Sequence, residues 1–129
     1  MVSQLDLFSS LAQMVGSEKR GPDSQELLDV FLGKSNEGRE ELIIEATSRT
    51  ALRKGDWAMI PPYNGPAKND MVNIELGNSS EFQLYNLSED LGQQNNLAKD
   101  NPEKLQEMIE TFKKIRGEDF QHIEQLELK

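Results

Sequence analysis

Few residues in this 129-residue chain have a type and a spacing that suit chemistry. Two adjacent acid pairs, Glu40–Glu41 and Glu89–Asp90, could pass for paired catalytic carboxylates. Neighbouring residues of a strand point to opposite faces of a sheet, so Glu40 and Glu41 cannot act together as an acid–base pair. Glu89 and Asp90 lie in a polar segment typical of a turn, where carboxylates accept hydrogen bonds from backbone N–H groups. Neither pair therefore predicts catalysis.

Composition removes several other kinds of site. The chain has no cysteine and one histidine, which excludes thiolate ligands, cysteine nucleophiles and multi-histidine metal sites. We expect the single histidine, His122, to lie on the surface. The net charge of -9 argues against nucleic acid as a main partner. No run of 18 apolar residues occurs, so we expect no membrane span, and the first residues do not have the pattern of a signal peptide.

One polar loop and one tryptophan remain as candidates for a binding role. Thr47, Ser48 and Arg49 form a polar loop after the apolar segment ELIIEA, and Arg49 could pair with a sulfate or carboxylate. A solvated turn is the alternative for this loop. Trp57 could stack on a sugar ring, or it could pack between a sheet and a helix.

The elements that must position these residues predict an α+β fold. We expect a single domain, with a helical lead-in over 1–36, an antiparallel sheet over 37–100, a packing helix over 101–117 and a tail over 118–129. The spacing of apolar residues predicts short helices over 3–15 and about 24–32, the second burying Leu27, Leu28, Phe31 and Leu32. In the first helix, Ser3 and Asp6 occupy capping-box positions.

Short apolar or alternating runs predict a sheet of about four strands. The predicted strands are Glu41–Ala46, Thr50–Arg53, Asp56–Ile60, a possible short strand Met71–Glu75, and Phe82–Leu87. A turn at Lys54-Gly55 would join the second and third strands into a hairpin and place Arg53 opposite Asp56.

The last helix has the clearest signals in the chain. Asn101 is its predicted cap, Pro102 its first residue and Gly117 its end. An apolar stripe should bind it to the sheet; its members are Leu105, Met108, Ile109, Phe112 and Ile115. The amide-rich segment before it should cap free backbone groups, with Gly92 in a left-handed conformation.

Four stretches resemble elements of the formylglycine-dependent arylsulfatases, in the family's order. LYNLSEDLGQQNNLA (84–98) is similar to the family's L-Y-D-L-x-x-D-P-G-E-x-x-N-L-A signature. VSQLDLF (2–8) resembles a helix of the same family, LLDVFLGK (27–34) its S-L-L-P-L-L-x-G-K element and ALRKGDW (51–57) the start of its hairpin. Ala58 stands where the family has lysine, and Leu91 and Gln93 stand where it has proline and glutamate, so we expect a looser turn.

The resemblance implies a C-terminal subdomain: a small antiparallel sheet with a long helix packed on it. The family's catalytic domain lies N-terminal to it and carries a calcium site and a formylglycine made from C/S-x-P-x-R. This motif does not occur in the chain, so we expect an inert fragment that binds no cofactor itself. The implied partners are its own N-terminal catalytic domain and a sulfated glycan or aryl sulfate. Thr47, Ser48, Arg49 and Trp57 would lie at the substrate rim. The parent would be periplasmic or secreted.

A free-standing binding module is the alternative hypothesis. The two hypotheses differ in what the first helix should expose. A severed subdomain would leave apolar groups uncovered where its catalytic domain had been, and the candidates are Leu5, Leu7, Phe8 and Leu11. An independent module would have no reason to expose them.

Overall fold

A computed structural model describes residues 1–46, 49–66 and 68–118, without the side chains of Ala46 and Glu75. The chain forms two compact units, Met1–Glu41 and Leu42–Lys129. Thr47, Ser48, His122 and nearly all of the predicted tail lie outside the described residues. Within the described residues, no helix combines the length and apolar character needed to span a bilayer. The single-domain organisation stays a prediction.

The first unit contains two helices, α1 (Asp6–Met14) and α2 (Leu28–Phe31). Helix α2 is much shorter than predicted, because residues 24 and 25 are bonded to α1 instead: Ser9 N donates to Ser24 Oγ at 3.1 Å. The predicted burial of Phe31 and Leu32 is wrong, since both are exposed.

Helix α1 buries its polar side and exposes its apolar side. Asp6, Ser9 and Ser10 are buried. The exposed side chains on or beside the helix are Val2, Leu5, Leu7, Phe8, Leu11, Met14 and Val15. The buried serines bond to the segment that follows, with Leu27 N donating to Ser10 Oγ at 2.9 Å. The helix is therefore bound to its own unit through polar groups.

The second unit is built on a four-stranded antiparallel sheet of strand order β1-β2-β3-β6. The strands are β1 (Glu41–Ala46), β2 (Arg49–Lys54), β3 (Trp57–Ile60) and β6 (Gln83–Asn86). A separate two-stranded sheet pairs β4 (Lys68–Asn69) with β5 (Ile74–Glu75) inside the β3–β6 connection. The predicted fold class is confirmed.

The β2–β3 hairpin has a different register from the predicted one. Lys54 pairs with Trp57, and Arg53 pairs with Ala58. The turn therefore consists of Gly55 and Asp56, and the expected Arg53–Asp56 pair is wrong. Gly55 has a φ of 56°, a left-handed conformation that glycine adopts without a steric penalty.

Helix α3 (Pro102–Arg116) lies on one face of this sheet, with Asn101 at its N-cap position and Gly117 at its C-cap. Its fully buried Met108 and Phe112 join a core completed by Leu52, Met59, Leu84 and Ala98. Leu105 and Ile109 pack at the edge of this core, whereas Ile115 is about half exposed. The apolar stripe thus does bind the helix to the sheet, except at its last member.

Strand alternation leaves the second face of the sheet free of α3. Leu52, Met59 and Leu84 point to the helix, so their neighbours Ala51, Ala58 and Tyr85 point away from it. The long β3–β6 connection contributes residues 61–63 and 76–79 to this second face. The candidate functional site is built there.

Candidate functional site

A cavity of about 500 Å³ lies between the second face of the sheet and the β3–β6 connection. Strand residues Ile44, Arg49, Ile60 and Tyr85 form one side of it. The other side comes from the connection and from the turn after β6; its residues include Pro61, Pro62, Tyr63, Leu76, Gly77, Asn78, Ser79, Gly92 and Gln93. This volume lies within the usual range of small-molecule sites, about 300–1,000 Å³.

Arg49, the first residue of β2, is held at this cavity by two contacts. Its Nη1 donates to the Leu76 carbonyl oxygen at 3.2 Å, and its guanidinium carbon lies 5.6 Å from the centre of the Tyr63 ring. The connection is itself fixed, because Tyr63 N donates to Ser79 O at 2.8 Å. A Cβ added at Gly65 would collide with the Tyr63 ring at Cε1. Glycine at position 65 therefore leaves the space that the Tyr63 ring occupies beside Arg49.

The remaining polar groups of the cavity wall largely bond to one another. Tyr85 Oη donates to Gln83 Oε1 at 2.6 Å, and Gln83 Nε2 donates to Gly77 O at 2.9 Å. Both side chains are buried. Burial, with a smaller contribution from the Asp90 carboxylate, raises the pKa of Tyr85 above its usual value, so its hydroxyl stays neutral near pH 7. These residues form a fixed, neutral floor.

Arg49 differs from this floor, because it carries the only formal charge among the described residues that line the cavity. No described carboxylate forms an ion pair with it, and its buried Nε has no hydrogen-bond partner among the described atoms. By contrast, Arg39 pairs with Asp6 and Arg116 with Glu45. Arg49 therefore supplies an uncompensated positive charge to a mostly apolar cavity.

Trp57 lies on the helix side of the sheet, away from Arg49. It is partly buried against the core, and Lys104 Nζ lies 5.8 Å from its ring centre. The interpretation of Trp57 as a packing residue between sheet and helix is confirmed. Its role at a substrate rim stays a prediction, as do those of Thr47 and Ser48, which lie outside the described residues.

The amide-rich segment caps backbone groups, as predicted. Asn96 Oδ1 accepts from Leu84 N and Ala98 N, each at 3.0 Å, and Asn96 Nδ2 donates to Phe82 O. Asp90 Oδ2 accepts from two backbone N–H groups, of Gln94 and Asn95, at 2.8 Å each. These bonds lower the pKa of Asp90.

The left-handed residue of this turn is not the predicted glycine. Gln93 has a φ of 52°, whereas Gly92 is absent from the positive-φ residues of the described chain. The two backbone bonds to Asp90 explain the shift, because they draw the chain into a tight loop one residue later than the glycine. The turn is therefore held by Asp90 without the family's proline.

The sequence did not reveal the most heavily bonded carboxylate of the first unit. Asp6 is fully buried. Arg39 Nε donates to its two carboxylate oxygens at 2.9 and 2.8 Å, and Arg39 Nη2 donates to Oδ1 at 2.6 Å. Backbone N–H groups of Ser3 and Gln25 also donate to it, at 2.9 and 3.0 Å. Burial raises the pKa of Asp6, but the Arg39 and backbone bonds outweigh it, so the pKa lies below its usual value. Arg39 lies 33 residues after Asp6 in the sequence. The capping-box spacing of Ser3 and Asp6 was therefore the only local signal that this carboxylate has a structural role.

Within the described ranges, no group of three His, Cys, Asp or Glu side chains is arranged to hold a metal ion. Neither Glu40–Glu41 nor Glu89–Asp90 belongs to such a group. The described residues thus provide a cavity with one cation, and an exposed apolar helix face.

Comparison with known proteins gives one strong similarity. The chain is 38% identical over 120 residues to N-acetylgalactosamine-6-O-sulfatase of Bacteroides thetaiotaomicron; this covers 90% of the chain and 24% of the relative. No model of a known protein family matches the chain.

Solved structures agree. One, of a Bacteroides thetaiotaomicron protein described in connection with the metabolism of multiple glycosaminoglycans, is 38% identical, with a TM-score of 0.79 over 85% of this chain and 24% of that one. A second, of Ps i-CgsB, shares the fold at 19% identity, with a TM-score of 0.60 over 88% of this chain and 24% of that one. The chain thus spans about a quarter of the length of the proteins it matches.

Proposed function

Because the chain is a C-terminal fragment of a bacterial sulfatase, we propose that it completes a sulfuric ester hydrolase without catalysing the reaction itself. The similarity to an N-acetylgalactosamine-6-O-sulfatase over 90% of the chain carries this proposal. The free-standing binding module is not favoured, since the match covers a quarter of a longer enzyme.

The proposed partner is the enzyme's own N-terminal catalytic domain, bound through helix α1. Leu5, Phe8 and Leu11 are about half exposed, at 51%, 55% and 51%. Hydrogen bonds of Asp6, Ser9 and Ser10 hold the helix in its own unit. An apolar face that its own unit leaves uncovered is typical of an interface that another domain buries.

The chemistry would belong to the missing part of the enzyme. Calcium and formylglycine are implied for that part by the resemblance, and the described residues here offer neither a metal cluster nor the precursor motif. What this chain supplies is a fixed cavity wall and a cation.

We further propose that the substrate is a sulfated sugar and that Arg49 lies at its rim. The relative's name supports sulfated N-acetylgalactosamine as the first substrate to test. The uncompensated charge of Arg49 supports contact with an anionic group of the substrate. Thr47, Ser48 and Trp57 remain proposed rim residues, and Trp57 has the least support because it packs on the helix side.

Complementation tests the proposal. The coding sequence upstream should contain C/S-x-P-x-R, and the protein encoded there should hydrolyse N-acetylgalactosamine 6-sulfate only when this chain is added. The chain alone should show no turnover of an aryl sulfate with or without calcium.

Leu11→Glu should abolish complementation by placing a charge in the apolar interface, whereas Gln13→Glu, the same charge change on an exposed polar residue of α1, should not. An upstream sequence without the motif, or equal complementation by both variants, would refute the proposal.

A further inference from the structure

Arg49 is a cation that the described part of the protein positions but does not neutralise. A guanidinium has five N–H donors, and the described residues accept one hydrogen bond from Arg49, at the Leu76 carbonyl. The Tyr63 ring supports one face of the group at 5.6 Å. The guanidinium is thus oriented by neutral groups alone.

Such an arrangement is unusual for a protein with a net charge of -9. Carboxylates are abundant, and the largely buried Arg39 and Arg116 side chains each pair with one. Buried polar atoms nearly always have a partner, and one without a partner calls for an explanation, such as strain, a water or an ion. The unpartnered Arg49 Nε is therefore the feature that requires an explanation.

The rest of the cavity limits what the missing group can be. Pro61, Tyr63, Ile60 and Leu76 give it mostly apolar walls, which suit the C–H face of a sugar ring. Asn78 donates through Nδ2 to Pro66 O, and its carboxamide oxygen accepts no hydrogen bond from the described residues. A bare inorganic anion would make no use of either feature.

From these observations we infer that the cavity binds a sugar unit bearing a sulfate or carboxylate, with the anionic group on the Arg49 guanidinium. A planar fork of donors matches two oxygens of one anionic group better than a lysine ammonium does. The inference rests on the proposed function, because it names the part of a sulfated substrate that this fragment would hold. It concerns binding to this chain and needs no catalytic domain.

The experiment is a titration of the ¹⁵N-labelled 129-residue chain, followed at the arginine Nε–Hε signals by NMR. The probes are N-acetylgalactosamine 6-sulfate, glucuronate, unsulfated N-acetylgalactosamine and inorganic sulfate. We expect the Arg49 Nε–Hε signal to move saturably with one or both anionic sugars. The neutral sugar lacks the anionic group that would pair with Arg49, and inorganic sulfate lacks the sugar ring that would contact the apolar walls. Each should therefore bind at least about tenfold more weakly.

Two variants test whether binding depends on the paired N–H donors of the Arg49 guanidinium or only on its positive charge. Arg49→Lys keeps the charge and loses the fork, and we expect affinity for the anionic sugar to fall by about tenfold. Arg53→Lys is the matched control: it changes an exposed arginine of the same strand, outside the cavity, and should leave the affinity unchanged.

Sulfate-ester binding and carboxylate binding both support the site and identify its natural anion. The inference is overturned if neither anionic sugar gives a saturable shift at Arg49, if inorganic sulfate binds as tightly, or if Arg53→Lys weakens binding equally. Successful complementation without sugar binding would refute this inference alone. Sugar binding without complementation would refute the proposed function alone.

Discussion

Replacement of Asp6 by alanine tests whether polar groups, and not the apolar face, hold helix α1 in its unit. The substitution removes a carboxylate that Arg39 contacts at 2.6–2.9 Å and that two backbone N–H groups also use. It would leave the Arg39 side chain, which is 9% exposed, without its counter-ion.

The expected cost follows from that burial. Breaking a buried ion pair by removing one partner costs about 3–5 kcal/mol, because the remaining charge stays desolvated. Protection of the Ser9 and Gln25 amides against hydrogen exchange should fall by roughly 10²- to 10⁴-fold where local opening controls it. Asp29→Ala is the matched control: Asp29 is an exposed acid of the same unit, and its loss should change stability by less than about 0.5 kcal/mol.

The pH dependence gives a second measurement on the same pair. The pKa of Asp6 is lower in the folded protein than in the unfolded chain, where it is about 3.9. The pair's contribution is therefore fully present above about pH 4 and is lost as the pH falls through the folded-state value. Protection at Ser9 and Gln25 should decline in that window in the wild type and not in Asp6→Ala. If Asp6→Ala keeps wild-type protection, apolar contacts hold α1 and its assignment as an interface helix is wrong.

Three further predictions concern the second unit and the activity. Phe112→Ala should cost about 3–5 kcal/mol in urea unfolding followed by Trp57 fluorescence, since Phe112 is fully buried, while Ile115→Ala should cost less than about 1 kcal/mol; equal losses would contradict the described core. Asn96→Ala should cost about 1–3 kcal/mol because it frees backbone groups at residues 82, 84 and 98, whereas Asn95→Ala removes no side-chain bond in the described structure and should be neutral; a larger loss for Asn95→Ala would refute the capping role. The purified chain should release no sulfate from an aryl sulfate above a buffer blank, and turnover that follows the chain through purification would contradict the assignment of chemistry to the missing domain.

Periodicity and end signals predicted most elements of the second unit, because there the apolar residues of each element contact one another. Asn101, Pro102 and Gly117 delimit α3 as expected, and the stripe through Met108 and Phe112 meets the sheet. The same rule located an apolar face on α1 but could not say what covers it. A period shows which residues share a face, and not whether the partner surface lies in the same chain.

The errors arose where a side-chain hydrogen bond, and not the pattern of apolar and turn residues, decided the local structure. Helix α2 is short because Ser24 and Gln25 form hydrogen bonds with Ser9 and Asp6 on the buried side of α1. Gly92 was the natural candidate for a left-handed turn, yet the bonds to Asp90 place that conformation at Gln93. For the candidate site, Arg49 was identified by residue type, but its lack of a counter-ion depends on which acids fold near it.

The capping by Asn96 also bears on aggregation. Strand β6 is the edge of its sheet, and an edge strand with free N–H and C=O groups can pair with a second molecule. Here Leu84 N donates to Asn96 Oδ1, and Leu84 O accepts from Leu97 N at 2.8 Å. Both outward backbone groups of Leu84 are thus occupied by the chain's own next segment. Intermolecular strand addition at β6 must first displace that segment, so we expect self-association of this fragment to proceed through α1 instead.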